Sequence, residues 1–225
     1  MSPARPGAGL IIAIDSATAR VVVAVGTTAG TVVDATDWTA GYRHGETLLP
    51  AIDGLLDRLD IALADIVAIV VGIGPGAFTG LRVGVATAKG LAHALRRPII
   101  GISTAEALLA VAGPGSVLLL PAGPSDRLIV RRGQPAQRLP AGVEVEVSAD
   151  QRLVAIDLAG RAPDDAVQRG DVAIARLGGS LVTLGAARLT AGDVDDLAGL
   201  VPQYVTLPRG VHADGGEVSW SHDRR

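Results

Sequence analysis

The sequence predicts an α/β protein built as two lobes with mixed sheets, and three observations carry that reading. Short apolar runs, LIIAI at Leu10–Ile14 and IVAIVV at Ile66–Val71, have the length of buried strands. Stretches of helical periodicity follow them, at Glu46–Leu59 and Leu81–Leu95. Gly113-Pro114-Gly115 then separates a strongly patterned first half from a weaker second half.

Leu10–Asp15 reads as a buried strand, and Arg20–Val25 and Thr31–Asp37 follow it across Gly and Thr turns as a three-strand meander. In the helix over Glu46–Leu59, Leu48, Ile52, Leu55, Leu56 and Leu59 recur at helical spacing and Leu49 widens the stripe. Ile66–Val71 is a strand, and GIGPG after it is a sharp turn into the helix Leu81–Leu95, which Arg97-Pro98 ends. Pro98–Ile102 is the next strand, and Ser103 or Thr104 N-caps a helix through Ala112. Beyond the Gly-Pro-Gly break, Ser116–Leu120, Arg127–Arg131, Val143–Val147 and Leu153–Asp157 read as strands, with one or two helices between Asp164 and Leu189. The expected division is a first lobe over 9–112, a smaller second lobe over 113–207, and a polar, frayed tail over 208–225.

Composition narrows the chemistry. The 225 residues are 48% hydrophobic but only 2% aromatic, so aliphatic side chains must fill the core. With no cysteine, disulfides, thiolate catalysis and Cys-ligated metals are excluded. A net charge of −3 argues against this chain gripping a phosphate backbone alone, because such binding draws on clustered Lys and Arg. No apolar run approaches the roughly 20 residues that span a bilayer, and Met1–Gly9 lacks an apolar signal core, so a cytoplasmic protein is expected.

Asp15-Ser16-Ala17-Thr18 places an acid and two hydroxyls in a hairpin after the first strand. A carboxylate there can hold Mg²⁺ and the hydroxyls can meet phosphate oxygens, but an ordinary Asp-Ser turn bonded to its own backbone explains the same residues. Gly72, Gly74, Gly76 and Gly80 mark a strand-to-helix junction, where glycines permit close backbone approach and a helix N-terminus offers N–H groups to an anion. GxGxxG fails at Ala77 and GxxxxGK[ST] fails at Leu81, so neither the dinucleotide fingerprint nor the P-loop is present. LIIAIDSATAR and LVAIDLAGR (Leu153–Arg161) echo one another, as two related lobes of the actin, Hsp70 and sugar-kinase class would; in a chain this rich in Val and Ala, chance explains it more simply. The four histidines, His44, His93, His212 and His222, have no metal-ligand spacing.

Taken whole, GPGAFTGLRVGVATAKGLA followed by PIIGIST (Pro98–Thr104) resembles the signature of the TsaB (YeaZ) family, and AIDSAT and HGETLLP (His44–Pro50) match it in order and spacing. The resemblance covers about residues 10–110. It implies the actin, Hsp70 and sugar-kinase (ASKHA) fold and a subunit that acts without chemistry of its own. The catalytic paralogue, TsaD, carries a His-x-x-x-His metal pair; the corresponding positions here are Thr104 and Leu108, so no catalytic residue and no metal ligand is assigned. The family's second lobe opens with Asp-Ala-Arg and a nearby Glu-Val-Tyr, whereas this chain has Leu120-Pro121-Ala122-Gly123-Pro124 and then Arg127-Leu128-Ile129-Val130, which suggests a degenerate second lobe.

The resemblance further implies a scaffold that completes, with TsaD and the ATPase TsaE, the transfer of threonylcarbamoyl to adenosine 37 of ANN-decoding tRNAs, meeting tRNA only through the complex. It implies docking of the first two helices on TsaD, or on a second copy when TsaD is absent, through Leu48, Leu49, Ile52, Leu56, Arg82, Val85 and Lys89. ATP or ADP with Mg²⁺ at the partner junction would meet Asp15, Ser16, Thr18, Gly74, Gly76, Thr79 and Gly80. The alternative function is a small ATP-dependent kinase or ATPase of the same fold, for which Asp157 is the one candidate carboxylate; a peptidase lacks any nucleophile–base or metal pair.

Overall fold

The computed structural model describes residues 9–41, 43–204, 211–214 and 217–220. Two mixed sheets form its frame. The first runs β3-β2-β1-β4-β5, from β1 (Leu10–Asp15), β2 (Arg20–Thr27), β3 (Val32–Thr39), β4 (Ile66–Gly72) and β5 (Ile99–Ile102). β1–β3 is the expected antiparallel meander, and β4 and β5 add in parallel. Every residue of β1 is buried, because helices cover both faces of the sheet; this is why the strand reads as one apolar run without alternation.

Helices α1 (His44–Arg58) and α2 (Phe78–Leu95) cover one face, with Leu48, Ile52, Leu55, Leu56, Val85 and Ala88 packed on Leu10, Ile12, Ile14, Val21 and Val23. The opposite residues of the same strands, Ile11, Ala13, Val22 and Ala24, enter a second core with α3 (Thr104–Ala112) and α5 (Leu177–Thr190). Leu118, Leu120, Leu128 and Val130 of the second sheet close that core from the far side, so α3 and α5 are sandwiched between the sheets. α3 begins as expected, with the Ser103 hydroxyl accepting from Glu106 N–H as N-cap.

The second sheet runs β8-β7-β6-β9, from β6 (Ser116–Pro121), β7 (Arg127–Arg131), β8 (Gln137–Leu139) and β9 (Arg152–Ala155). Its β6 pairs antiparallel with β7 and parallel with β9, just as β1 pairs with β2 and β4. The two lobes therefore repeat one topology, and the chain has the two-lobe fold of the actin, Hsp70 and sugar-kinase class. β6 is the partner of β1 in that repeat and β9 the partner of β4. The echo between Leu10–Arg20 and Leu153–Arg161 thus joins non-equivalent strands and is coincidental.

Two readings change. Val143–Val147 is not a strand: Arg127 and Arg131 donate to the carbonyls of Val143 and Glu146 as the segment runs past the sheet, and Gln137–Leu139 takes the edge position instead. The chain also returns to the first lobe before residue 207. After α4 (Asp164–Ala175), α5 packs on β1–β5, Asp195 bridges to Ile99, and Gln203 N–H donates to the carbonyl of Ile73. Within the tail expected to fray, β10 (Val211–Asp214) and β11 (Glu217–Trp220) pair antiparallel as a hairpin; the rest of 208–225 lies outside the described residues. No single helix among the described residues is long and apolar enough to cross a membrane.

Candidate functional site: a closed hairpin and an outer helix face

The β1–β2 hairpin and the glycine loop before α2 meet, as their spacing suggests, but they meet each other. Asp15 Oδ1 accepts from Ala17 N–H at 2.8 Å and Oδ2 accepts from the Thr104 hydroxyl at 2.6 Å. Ser16 Oγ donates to the Gly80 carbonyl at 2.7 Å, and Ala77 N–H donates to the Ala17 carbonyl at 2.7 Å. The Thr18 hydroxyl donates to the carbonyl of Arg20 and accepts from its N–H. Asp15, Ser16 and Thr18 are all buried.

The glycines are required by this closure. A Cβ on Gly76 would collide with the Ala17 carbonyl, one on Gly80 with the Ser16 carbonyl, and one on Gly72 with the Asp15 carboxylate. Of the residues assigned to a nucleotide, Asp15 and Gly74 share the Thr104 hydroxyl, Ser16 bonds Gly80, Gly76 lies against the Ala17 carbonyl and the Thr18 hydroxyl bonds Arg20, while Thr79 stands exposed on the first turn of α2. A phosphate would reach the buried groups only by separating the hairpin from the loop.

Burial pushes the Asp15 carboxyl up to about 6, with the Thr104 hydroxyl and Ala17 N–H partly offsetting the loss of water. The Thr104 hydroxyl also accepts from Gly74 N–H at 3.1 Å, so it clamps strand β1 to the glycine loop. Thr104 and Leu108, which the resemblance sets against the paralogue's metal pair, are both completely buried, the second in the core between the sheets. Asp157, the carboxylate of the kinase alternative, sits at φ 55° after β9 and accepts from Ala19 N–H at 2.7 Å, tying the lobes together. Its carboxyl is raised above the usual range by burial, with the nearby Asp171 adding to the effect.

The helix pair presents a different outer face from the one expected. Leu48, Ile52, Leu56 and Val85 are turned into the chain's own core, because the first sheet takes the wide stripe of α1 and the apolar line of α2. Lys89 is used internally: its ammonium donates to the carbonyls of Ala198 and Leu200 in the returning segment. Leu49, 52% exposed, and Arg82 remain outward, beside exposed Gly45, Asp53 and Gly54 on α1 and Ala86 and Gly90 on α2.

Sequence reasoning missed two contributors. Tyr204 stacks at 4.9 Å, tilted 40°, on Phe78 at the start of α2, and the Arg82 guanidinium lies 5.1 Å from that ring. The only signal for Tyr204 is the rarity of aromatics, since its partner is more than a hundred residues away. His44 is buried at the start of α1, against Gly80, and neither ring nitrogen has a hydrogen-bond partner among the described residues.

Comparison with known proteins places these features in a family. Residues 38–169, more than half of the chain, match the family described as TsaD, tRNA N6-adenosine threonylcarbamoyltransferase. An uncharacterised protein of Mycobacterium tuberculosis is 38% identical over 99 residues, which is 44% of this chain and 47% of that protein. The tRNA threonylcarbamoyladenosine biosynthesis protein TsaB of Escherichia coli is 40% identical over 94 residues, 42% of this chain and 40% of the relative. These matches span less than half the length of the curated relatives. YeaZ from Pseudomonas aeruginosa shares the fold with a TM-score of 0.65 at 24% identity, over 87% of this chain and 99% of the other. With the glycine signature closed on its hairpin and the two-lobe topology complete, the chain belongs to the family described as TsaD, tRNA N6-adenosine threonylcarbamoyltransferase, and within it is similar to the TsaB (YeaZ) proteins.

Proposed function

We propose that this chain is a non-catalytic scaffold subunit of the complex that transfers threonylcarbamoyl to adenosine 37 of ANN-decoding tRNAs, docking on a TsaD-like paralogue and working with a TsaE-like ATPase in the cytoplasm. One observation supports this above the rest: the groups that could carry chemistry in this fold are consumed by internal packing. The carboxylate of Asp15 is held by Thr104 and Ala17, the Ser16 hydroxyl by Gly80, and the metal positions by a buried threonine and a core leucine. A buried leucine cannot ligate an ion, and a buried, hydrogen-bonded carboxylate has no open position for one.

What the lobe leaves free is the outer face of α1 and α2. Small residues there (Gly45, Gly54, Ala86, Gly90) let a partner helix approach closely, and Leu49 supplies an apolar anchor among Arg82 and Asp53. That is the chemistry of a helix–helix contact with a paralogue, or with a second copy of the chain when the paralogue is absent. ATP or ADP with Mg²⁺ at such a junction would meet exposed Thr79 and Arg82, not the closed hairpin.

Reconstitution tests the reading. The TsaD-like and TsaE-like proteins of the same organism should modify tRNA only when this chain is added, and the chain alone should modify none. Full modification without it ends the proposal.

A further inference from the structure

At the C-terminal end of α2, the opposite end of that helix from the glycine loop, an open surface cavity of about 490 Å³ is lined by Ala92, His93, Ala94, Arg96, Arg97 and Leu197. Half of its lining is basic, in a chain whose net charge is −3. None of the three basic side chains forms an ion pair among the described residues, a state that Arg96 and Arg97 share with Arg82, Arg127, Arg131, Arg132, Arg152, Arg161 and Arg176. The acids closest in sequence to Leu197 are turned to their own partners: Asp195 to Arg188 and Gly101 N–H, Asp196 to Gly199 N–H. The Arg96 and Arg97 guanidinium groups therefore have no carboxylate partner among the described residues, and the carbonyl end of α2 is the nearest negative group to them.

Two details point to an acceptor ligand. The half-buried Arg97 guanidinium is pinned by a hydrogen bond from Nη2 to the Ala64 carbonyl at 3.3 Å, yet its buried Nε–H has no partner among the described residues, and a buried donor left unsatisfied is costly. Arg96 ends α2 in the left-handed conformation, φ 54° and ψ 48°, a position where glycine is the unstrained choice. The fold holds an exposed arginine where conformation alone favours no side chain.

We propose that this cavity is a phosphate site that takes a backbone phosphate of the RNA substrate, with Arg96 and Arg97 as its donors and His93 at its rim. The inference rests on the tRNA-modification reading above. Guanidinium groups suit a phosphate because their fork of N–H donors matches its oxygens and the charge assists each bond. One such site does not let an acidic chain hold RNA alone. It adds a contact to RNA already held by the partner, which agrees with the overall charge.

The test uses the reconstituted complex with unmodified tRNA, and three variants at position 96. Arg96→Gly should leave the chain as stable as the parent or more so, because it relieves the left-handed strain, yet weaken tRNA binding several-fold and lower the salt dependence of affinity by about one phosphate. Arg96→Glu should weaken binding further, and Arg96→Lys should restore most of it. ADP and inorganic phosphate, titrated into the complex without tRNA, identify a free-nucleotide site instead. Unchanged tRNA affinity and salt slope in Arg96→Glu overturn the proposal, as does nucleotide binding that depends on Arg96 while tRNA binding does not. The same samples separate the two readings. Failure of the parent complex to modify tRNA sinks the function, whereas normal modification with an unaltered Arg96→Glu affinity sinks this site alone.

Discussion

Replacing Asp15 by Asn should stabilise the protein at neutral pH. The carboxylate is completely buried and its proton is held up to about 6, against 3.8 for a free aspartate. The folded state therefore binds this proton more tightly than the unfolded chain does. Its contribution is most favourable below pH 4 and is lost as pH rises through 6. A difference of about two pKa units corresponds to roughly 3 kcal/mol of desolvation cost at pH 8, and complete burial leaves little solvent to screen it. Asparagine keeps the shape and the bond from Ala17 N–H, and its amide can donate to the Thr104 hydroxyl where the carboxylate accepts. Asp15→Asn should gain about 1–3 kcal/mol at pH 8, or roughly 2–10 °C in melting temperature for a chain of this size. The gain should vanish near pH 4, where the parent carboxyl is already protonated. Urea melts of both proteins from pH 4 to pH 8 give the answer. If Asp15→Asn loses stability at pH 8, or keeps the parent's decline between pH 4 and pH 6, the charge is compensated in a way the Thr104 and Ala17 contacts do not provide.

Gly76→Ala should cost at least about 2 kcal/mol, since its Cβ meets the rigid Ala17 carbonyl and hairpin and loop must part; chemical denaturation reads this, and a neutral effect would mean the closure is loose. Rebuilding the paralogue's ligand pair as Thr104→His with Leu108→His should destabilise by several kcal/mol without creating a metal site, because both positions are core; a melting temperature raised by added Zn²⁺ would contradict that. Leu49→Glu should shift stability by no more than about 0.5 kcal/mol while abolishing association with the paralogue in gel filtration, whereas Leu48→Ala should cost about 2–5 kcal/mol through a core cavity. Equal effects at the two positions would place the docking face elsewhere.

Much of the first lobe is legible in the chain itself, because its signals are local. The apolar run of β1, the helical stripe of α1, the Ser103 cap and the glycine junction each lie within a few residues, and strand length and helix period follow from backbone geometry. The family signature lies in the same stretch. What the pattern leaves open is direction. The stripe Leu48, Ile52 and Leu56 fits an internal sheet and an external partner equally, and only the position of the first sheet turns it inward and leaves Leu49 outside. The second lobe is harder to read for a related reason: Val143–Val147 has strand composition, but arginines from β7 capture its carbonyls and leave the edge to Gln137–Leu139.

The sequence by itself determined the fold class, the family and the residues that meet at the glycine junction, since those depend on spacing along one continuous stretch. Tertiary structure alone decided that the hairpin is closed, that α5 belongs to the first lobe, and that Tyr204 reaches Phe78. These are contacts between segments 64 to 153 residues apart. Whether a buried hydroxyl or carboxylate faces a ligand or its own backbone depends on which distant segment fills the space in front of it, and no local pattern records that.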